Sequence, residues 1–419
     1  MSQVRDQAAA ARTAFRTLRT SSGEQRNGFL LALAAELESQ RQATLAANAI
    51  DIARGIDDGL ATAMVDRLTL TPVRLQAIAR DVLAVAAMAD PLSERFDAFE
   101  RSDGLRLHKR RVPLGVLGVI FESRPNVAID IAALAIKSGN AAVMRGGKEA
   151  QHSNRAFASV IRSALAVSGL PVAAVGLIDS TDRDDTLALL RCDESVDLII
   201  PRGGAGLHAY CRRESRIPVI TGGIGICHLY IAADADLEAG LKVIQNAKVQ
   251  RPTVCNALDT VLVQREAAAR WVPAIIGRLM QDGVRFRCDP DALPWADVGG
   301  ADVQPAGSED FDTEWLSLTL GIAVVDSPQA AIAHIEAHST GHSDGILTAD
   351  PELAEAFLAQ VDSAAVYWNA STRFTDGSEM GLGAEVAVST QRLHARGPMG
   401  LRELTSYKWV VEGAYHVRA

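Results

Sequence analysis

Cys255 stands in the stretch NAKVQRPTVCNALDTVL, residues 246–262, between a segment broken at Arg251-Pro252 and an apolar run. A cysteine acts as a nucleophile when cations or backbone N–H groups lower its pKa and solvent reaches the sulfur. Arg251, Thr253 and Asn256 are polar neighbours of that kind. Taken alone, Cys255 fits either a nucleophile or a small buried hydrophobe, the commoner state of a free cysteine. Cys192, Cys211, Cys227 and Cys288 read as buried hydrophobes. Two glycine turns offer a second chemistry: RGGKEA (145–150) and PRGGAGLH (201–208) each follow an apolar strand pattern and precede a helical one. Glycines there let backbone N–H groups approach a phosphate, and the helix N-terminus adds positive potential. Such turns are also common structural joints, and neither has the GxGxxG or GxxxxGK[ST] spacing. Two on one sheet, each beside an arginine (Arg145, Arg202), point to an anionic cofactor lying across it. His338 and His342 in AHSTGHSDG read as polar loop residues, because Gly341 breaks the helix and no third ligand is near. No metal site is expected.

The elements that must position these groups follow from periodicity. The first ninety residues read as helices, with Ser22 and Gln25 as a capping box before a face of Phe29, Leu30, Leu33 and Leu37. FDAFERSDGLRLHKRRVP (96–113) has two polar-alternating arms about Ser102-Asp103-Gly104, a hairpin signal. An isolated hairpin is marginal in water, so this ribbon calls for a partner chain, and the C-terminal TSYKWVVEGAYHVRA is a strand that could pair with it. From 113 to 225, the apolar strands LGVLGVIF, NAAVMRG, AAVGLID, VDLIIPRG and IPVITGG alternate with helical stretches. After Cys255 the alternation resumes with ALDTVLV, a helix over 265–282, SLTLGIAVVD, DGILTAD and AAVYWNAS. Near-continuous apolar strands alternating with helices indicate buried parallel sheets, whose ligands bind beyond the strands' carboxyl ends. The expectation is two Rossmann-like, doubly wound α/β domains meeting near 250.

The bulk composition excludes several classes. The chain has 419 residues, 48% hydrophobic, with a formal net charge of −9 and no continuous basic stripe, so no nucleic-acid partner is expected. An odd count of five cysteines without CxxC spacing argues for a reducing compartment, the cytoplasm. The N-terminal MSQVRDQAAAARTAFRTL lacks an apolar h-region and reads as a cytosolic helix, and no apolar run is long enough for a membrane span.

PLGVLGVIFESRPNVAID, SGNAAVMRGG, QRPTVCNALDTVLV and GLGAEVAVSTQRLHARGPMGLRELTSYKWVV resemble the aldehyde dehydrogenase superfamily. With VVDSPQAAIAHIEAHSTGHSDGI, they resemble its branch of reductases acting on L-glutamyl 5-phosphate, and the likeness spans nearly the whole chain. The resemblance implies an aldehyde-dehydrogenase-like fold. Its cofactor domain would span 1–97 and 114–250, its catalytic domain 251–390, and its oligomerisation flap 98–113 with 391–419. It implies reduction of L-glutamyl 5-phosphate to L-glutamate 5-semialdehyde with NADPH in proline biosynthesis, a homo-oligomer, and transient contact with the glutamate 5-kinase that supplies the acyl phosphate. A reductase of another activated acyl group, such as an acyl-CoA, is the alternative.

By the same resemblance Cys255 is the nucleophile, held between cofactor and substrate, and forms a thioester. Asn126 is favoured as the oxyanion donor, with Ser123 as the alternative. Arg145, Lys148, Gly203, Gly204, Gly223 and Glu314 would hold the cofactor, and Ser123, Asn256, Asn369 and Arg396 the substrate. Two departures from oxidising members carry physical meaning. Ile220 replaces the glutamate that activates water, which suits a thioester kept for hydride. Lys148 replaces an acid that holds the adenosine ribose, and a cation there attracts a 2′-phosphate, predicting NADPH over NADH.

Overall fold

Ser22 Oγ accepts from the Gln25 N–H while Gln25 Oε1 accepts from the Ser22 N–H, so the helix Gly23–Ser39 starts at the expected capping box. It buries Phe29, Leu30, Leu33 and Leu37 on one face. The computed structural model describes residues 2–122, 124–222 and 224–418; Ser123 and Gly223, both named above as site residues, lie outside them. The chain forms two compact units, one of Met1–Thr221, Gly381–Ala387 and Met399–Ala419, the other of Gly222–Met380 and Val388–Pro398.

In the first unit, β1 (Arg95–Glu100) and β2 (Arg106–Pro113) make the Asp-Gly hairpin, with a bulge between Phe96 and Phe99. Next come β3 (Val116–Phe121), β4 (Ala141–Gly146), β5 (Val175–Ile178) and β6 (Leu198–Arg202). They form a parallel sheet in the order β5-β4-β3-β6. Every residue of β3 is buried. The order reverses between β3 and β6, so the crevice for a ligand opens beyond the carboxyl ends of those two strands. The expected strand IPVITGG is reduced to one bridge between Ile199 and Val219. Pro218 has no N–H to give a ladder and contributes only its carbonyl, which accepts from Ile199.

The second unit holds β7 (Cys227–Ile231), β8 (Leu258–Gln264), β9 (Arg285–Cys288), β10 (Val303–Pro305), β11 (Thr319–Val325), β12 (Ser343–Leu347) and β13 (Ala365–Trp368). All run parallel in the order β10-β9-β11-β8-β7-β12-β13. Alternate residues serve opposite faces: Leu229, Ile231, Val261 and Val263 pack with Trp271 and Ile275, whereas Tyr230, Leu262 and Ala323 pack with Ile335 and Phe357. Gly240 lets its helix, Leu237–Val249, close on this core, since a Cβ there would lie 2.5 Å from Trp271. Because β7 pairs with β8 and β12, the units divide at Thr221/Gly222 and not near 250 as periodicity suggested. Apolar spacing reports burial and carries no record of which sheet a strand joins.

Within the second unit, β14 (Val388–Ser389) pairs with β15 (Gly397–Pro398). In the first unit, β16 (Thr405–Glu412) runs antiparallel to β2 over its whole length, completing the expected three-stranded flap. Lys109 Nζ sits 4.5 Å and 5.0 Å from the Tyr407 and Trp409 ring centroids and 2.8 Å from Asp97. No helix of the described residues is long and apolar enough to cross a membrane.

Candidate active site

At the carboxyl ends of the first unit's strands lies a cavity of about 580 Å³, lined among others by Glu122, Arg145, Lys148, Thr181, Arg183 and Gly206. The sequence expectation placed Arg145 and Lys148 here, at the end of β4, and both are present. Arg145 donates to the Thr181 carbonyl at 3.2 Å, while its buried Nε has no partner. Burial holds the Arg145 pKa below its usual value, opposed by Glu149 and Glu122. Glu122 is a residue that sequence reasoning passed over. Its carboxylate accepts from the Gly204 N–H at 3.2 Å, at the start of the helix Ala205–Glu214, and a Cβ on Gly203 would lie 2.3 Å from it. The Gly203-Gly204 turn thus accepts the chain's own Glu122 carboxylate through the Gly204 N–H. Cationic side chains, an orphaned guanidinium nitrogen and this turn fit a phosphate-bearing dinucleotide.

Cys255 lies in the second unit, in the turn between the helix Leu237–Val249 and β8, at the amino ends of the strands. It is partly exposed, and the other four cysteines are buried. Burial pushes the Cys211 thiol up to about 11, Cys288 up to about 12, and Cys227 well above the ordinary range. Cys227 Sγ donates to the Cys255 carbonyl at 3.2 Å. The backbone at Gly225 presses so close that a Cβ would fall 1.5 Å from that carbonyl. The same Gly225 donates its N–H to Glu314 at 3.0 Å, and Thr340 clamps both flanks through the Ile224 carbonyl and the Ile226 N–H.

The remaining expected residues have varied settings. Asn126 precedes the helix Val127–Lys137 and donates to Asp130 at 2.9 Å; burial raises the Asp130 carboxyl to about 7. Asn256 is buried, and its amide nitrogen donates to the Thr375 and Arg373 carbonyls at 2.9 and 3.3 Å. Two expected substrate contacts are taken up by structural bonds. Asn369, with φ +53°, clasps the Thr348 backbone with both amide atoms. Arg396 bonds Asp362 at 2.5 Å, and Arg392 shares that carboxylate. Each pairing is made across the fold, between residues the sequence separates by at least 21 positions. Arg373 was also passed over. Its signal was a lone arginine in STRFTDG, immediately after the strand-end motif YWNAS. Its Nε donates to Gln250, five residues before Cys255, at 3.0 Å.

The Aldehyde dehydrogenase family profile matches residues 1–285. A gamma-glutamyl phosphate reductase of Roseiflexus castenholzii is 54% identical over 424 residues, covering 100% of both chains. Among solved structures, the gamma-glutamyl phosphate reductase of Thermotoga maritima is similar with a TM-score of 0.96 at 42% identity, covering 99% of this chain and 100% of that one. An engineered glycolyl-CoA reductase with bound NADP+ has the same fold, with a TM-score of 0.72 at 15% identity over 98% and 97% of the two chains.

Proposed function

The chain belongs to the aldehyde dehydrogenase family and, within it, to the gamma-glutamyl phosphate reductases; on that premise we propose a covalent, NADPH-dependent route through Cys255. The enzyme reduces L-glutamyl 5-phosphate to L-glutamate 5-semialdehyde, releasing phosphate, in proline biosynthesis. The Cys255 thiolate attacks the acyl carbon, the C–O bond to phosphate breaks, and a thioester forms. Such covalent catalysis divides one difficult step into two easier ones. The dinucleotide supplies a hydride when bound. The resulting thiohemiacetal on Cys255 collapses, releasing the aldehyde and restoring the thiolate. Asn126, which bonds Asp130, is the favoured oxyanion donor, with Ser123 as the alternative.

Arg145, Lys148 and the Gly203-Gly204 turn would hold the dinucleotide, and the Lys148 cation, which lines the cavity, would favour a 2′-phosphate. Glu314, bound to the Gly225 N–H, would hold the nicotinamide ribose. Buried Ile220 offers water no general base, which protects the thioester from hydrolysis. Homo-oligomers would form through the flap, where Phe99, Tyr407, Trp409 and Val411 are exposed. We place the reaction in the cytoplasm, where thiols stay reduced.

The observation carrying this reading is that Cys255 alone of five cysteines is accessible while burial raises the others. The test is the reverse assay with glutamate semialdehyde, phosphate and NADP+, comparing wild type with Cys255→Ser. A panel of acyl phosphates and acyl-CoAs, followed by phosphate release, fixes the substrate class. Turnover by the serine variant, or acyl-CoA reduction in preference to the acyl phosphate, would overturn it.

A further inference from the structure

The turn bearing Cys255 follows directly on the C-terminus of the helix Leu237–Val249. Unpaired carbonyls give a helix C-terminus partial negative charge, which opposes a thiolate and an anionic substrate alike. Compensation has to come from side chains. The segment Ser371–Asp376 is stitched to both flanks of Cys255. Arg373 Nε donates to Gln250 at 3.0 Å, Thr372 Oγ1 donates to the Asn256 carbonyl at 2.7 Å, and Asn256 Nδ2 donates to the Thr375 carbonyl at 2.9 Å. This ties the Arg373 guanidinium to Gln250 at the start of the 250–256 turn, next to Arg251 in the chain. Burial and then Arg251 hold the Arg373 pKa below its usual value, and Asp376, then Cys255, act in the opposite sense. The acid of that segment, Asp376, is engaged by the Ser378 N–H and hydroxyl. Two cations held together repel each other until an anion joins them.

We infer that Arg373, with Arg251 beside it, forms the anion subsite of Cys255 and receives the phosphate that departs as the thioester forms. The inference rests on the acyl-phosphate reading above. It gives Arg373 the part that the sequence offered to Arg396, which Asp362 occupies. As the C–O bond breaks, negative charge gathers on the leaving phosphate, and a fixed guanidinium stabilises that charge most where it is greatest.

The experiment measures alkylation of Cys255, located by mass spectrometry, with anionic iodoacetate and neutral iodoacetamide at one pH. Wild type, Arg373→Gln and Arg373→Lys are compared with and without inorganic phosphate. The expected result is a preference for iodoacetate, and protection by phosphate, in wild type. Arg373→Gln should lower the iodoacetate-to-iodoacetamide ratio about tenfold, in line with loss of one charge-assisted contact, and abolish protection; Arg373→Lys should keep part of both. In the reverse assay, KM for phosphate should rise about tenfold in Arg373→Gln while KM for semialdehyde holds. A folded Arg373→Gln protein with unchanged ratio and protection overturns the inference. Should that variant not fold, Arg251→Gln and Arg373→Lys give the same readouts and decide it. Alkylation needs no turnover, so a failed subsite is distinguishable from a failed thioester mechanism, which the Cys255→Ser assay reads.

Discussion

The two parallel sheets put their chemistry at opposite ends. In the first unit, Glu122, Lys148, Thr181 and Gly204 follow the carboxyl ends of β3, β4, β5 and β6. In the second, Gly225, Cys255, Glu314 and Thr340 precede β7, β8, β11 and β12, at the amino ends. The carboxyl end of a wound sheet gathers helix N-termini, so backbone N–H groups receive anions directly, as Gly204 does with Glu122. The amino end gathers helix C-termini, whose carbonyls repel anions. A nucleophile placed there would depend on imported cations, and Arg373 and Cys255 feel each other's charge. On the proposed reading, phosphate recognition in the first unit would be shared by backbone and side chains, while in the second it would fall on side chains.

Substitutions can break or sharpen this contrast. The largest effect is expected from Cys255→Ser, which should lower turnover in the reverse assay by about a thousandfold or more, since no other accessible thiol substitutes for it. Next, Gly225→Ala places a methyl where only 1.5 Å separates it from the Cys255 carbonyl, and should cost about 3 kcal/mol by denaturant unfolding. Its control is Gly206→Ala in the first unit's helix, where nothing lies within 4 Å; that change should be neutral or stabilise by about 0.5 kcal/mol. Equal losses in both variants would remove the distinction between a crowded and an open backbone. Third, Lys148→Glu should shrink the NADPH-over-NADH preference in kcat/KM about tenfold without changing iodoacetamide labelling of Cys255. An unaltered preference would discard the cation reading of the first unit.

The smallest effect concerns pH. His334 packs 4.4 Å from His338 and 5.5 Å from His228 in the second unit, and burial, then those two rings, depress its pKa to about 3. The unfolded chain binds a proton below about 6.5 that the folded chain refuses until about 3. Stability should therefore fall as pH drops through that window, by at most about 1.4 kcal/mol per pH unit, and His334→Gln should flatten the slope. Unfolding midpoints between pH 7 and 4 measure it; an unchanged slope would remove His334 as the cause.

Much of this molecule was legible from residue types and short-range spacing. The capping box at Ser22, the Asp-Gly hairpin, the β16 partner strand and the expected buried parallel strands other than IPVITGG appear where their local chemistry places them. Cys255 is partly exposed ahead of β8 and the Arg145-Lys148 turn lines a cavity after β4, positions that local spacing suggested, while their roles are those proposed above. Short β9, with Arg285 and Arg287, and β10 carried too little apolar pattern to register.

Tertiary structure decided the rest. It assigned β7 to the second sheet, tied Asn369 to Thr348 and Arg396 to Asp362, brought Glu122 onto Gly204, and carried Arg373 back over 123 positions to Gln250. Local sequence sets which faces a segment must bury and where its backbone can turn. Which distant charge meets which depends on the order in which strands pair, and that order emerges only when every buried face has found its cover.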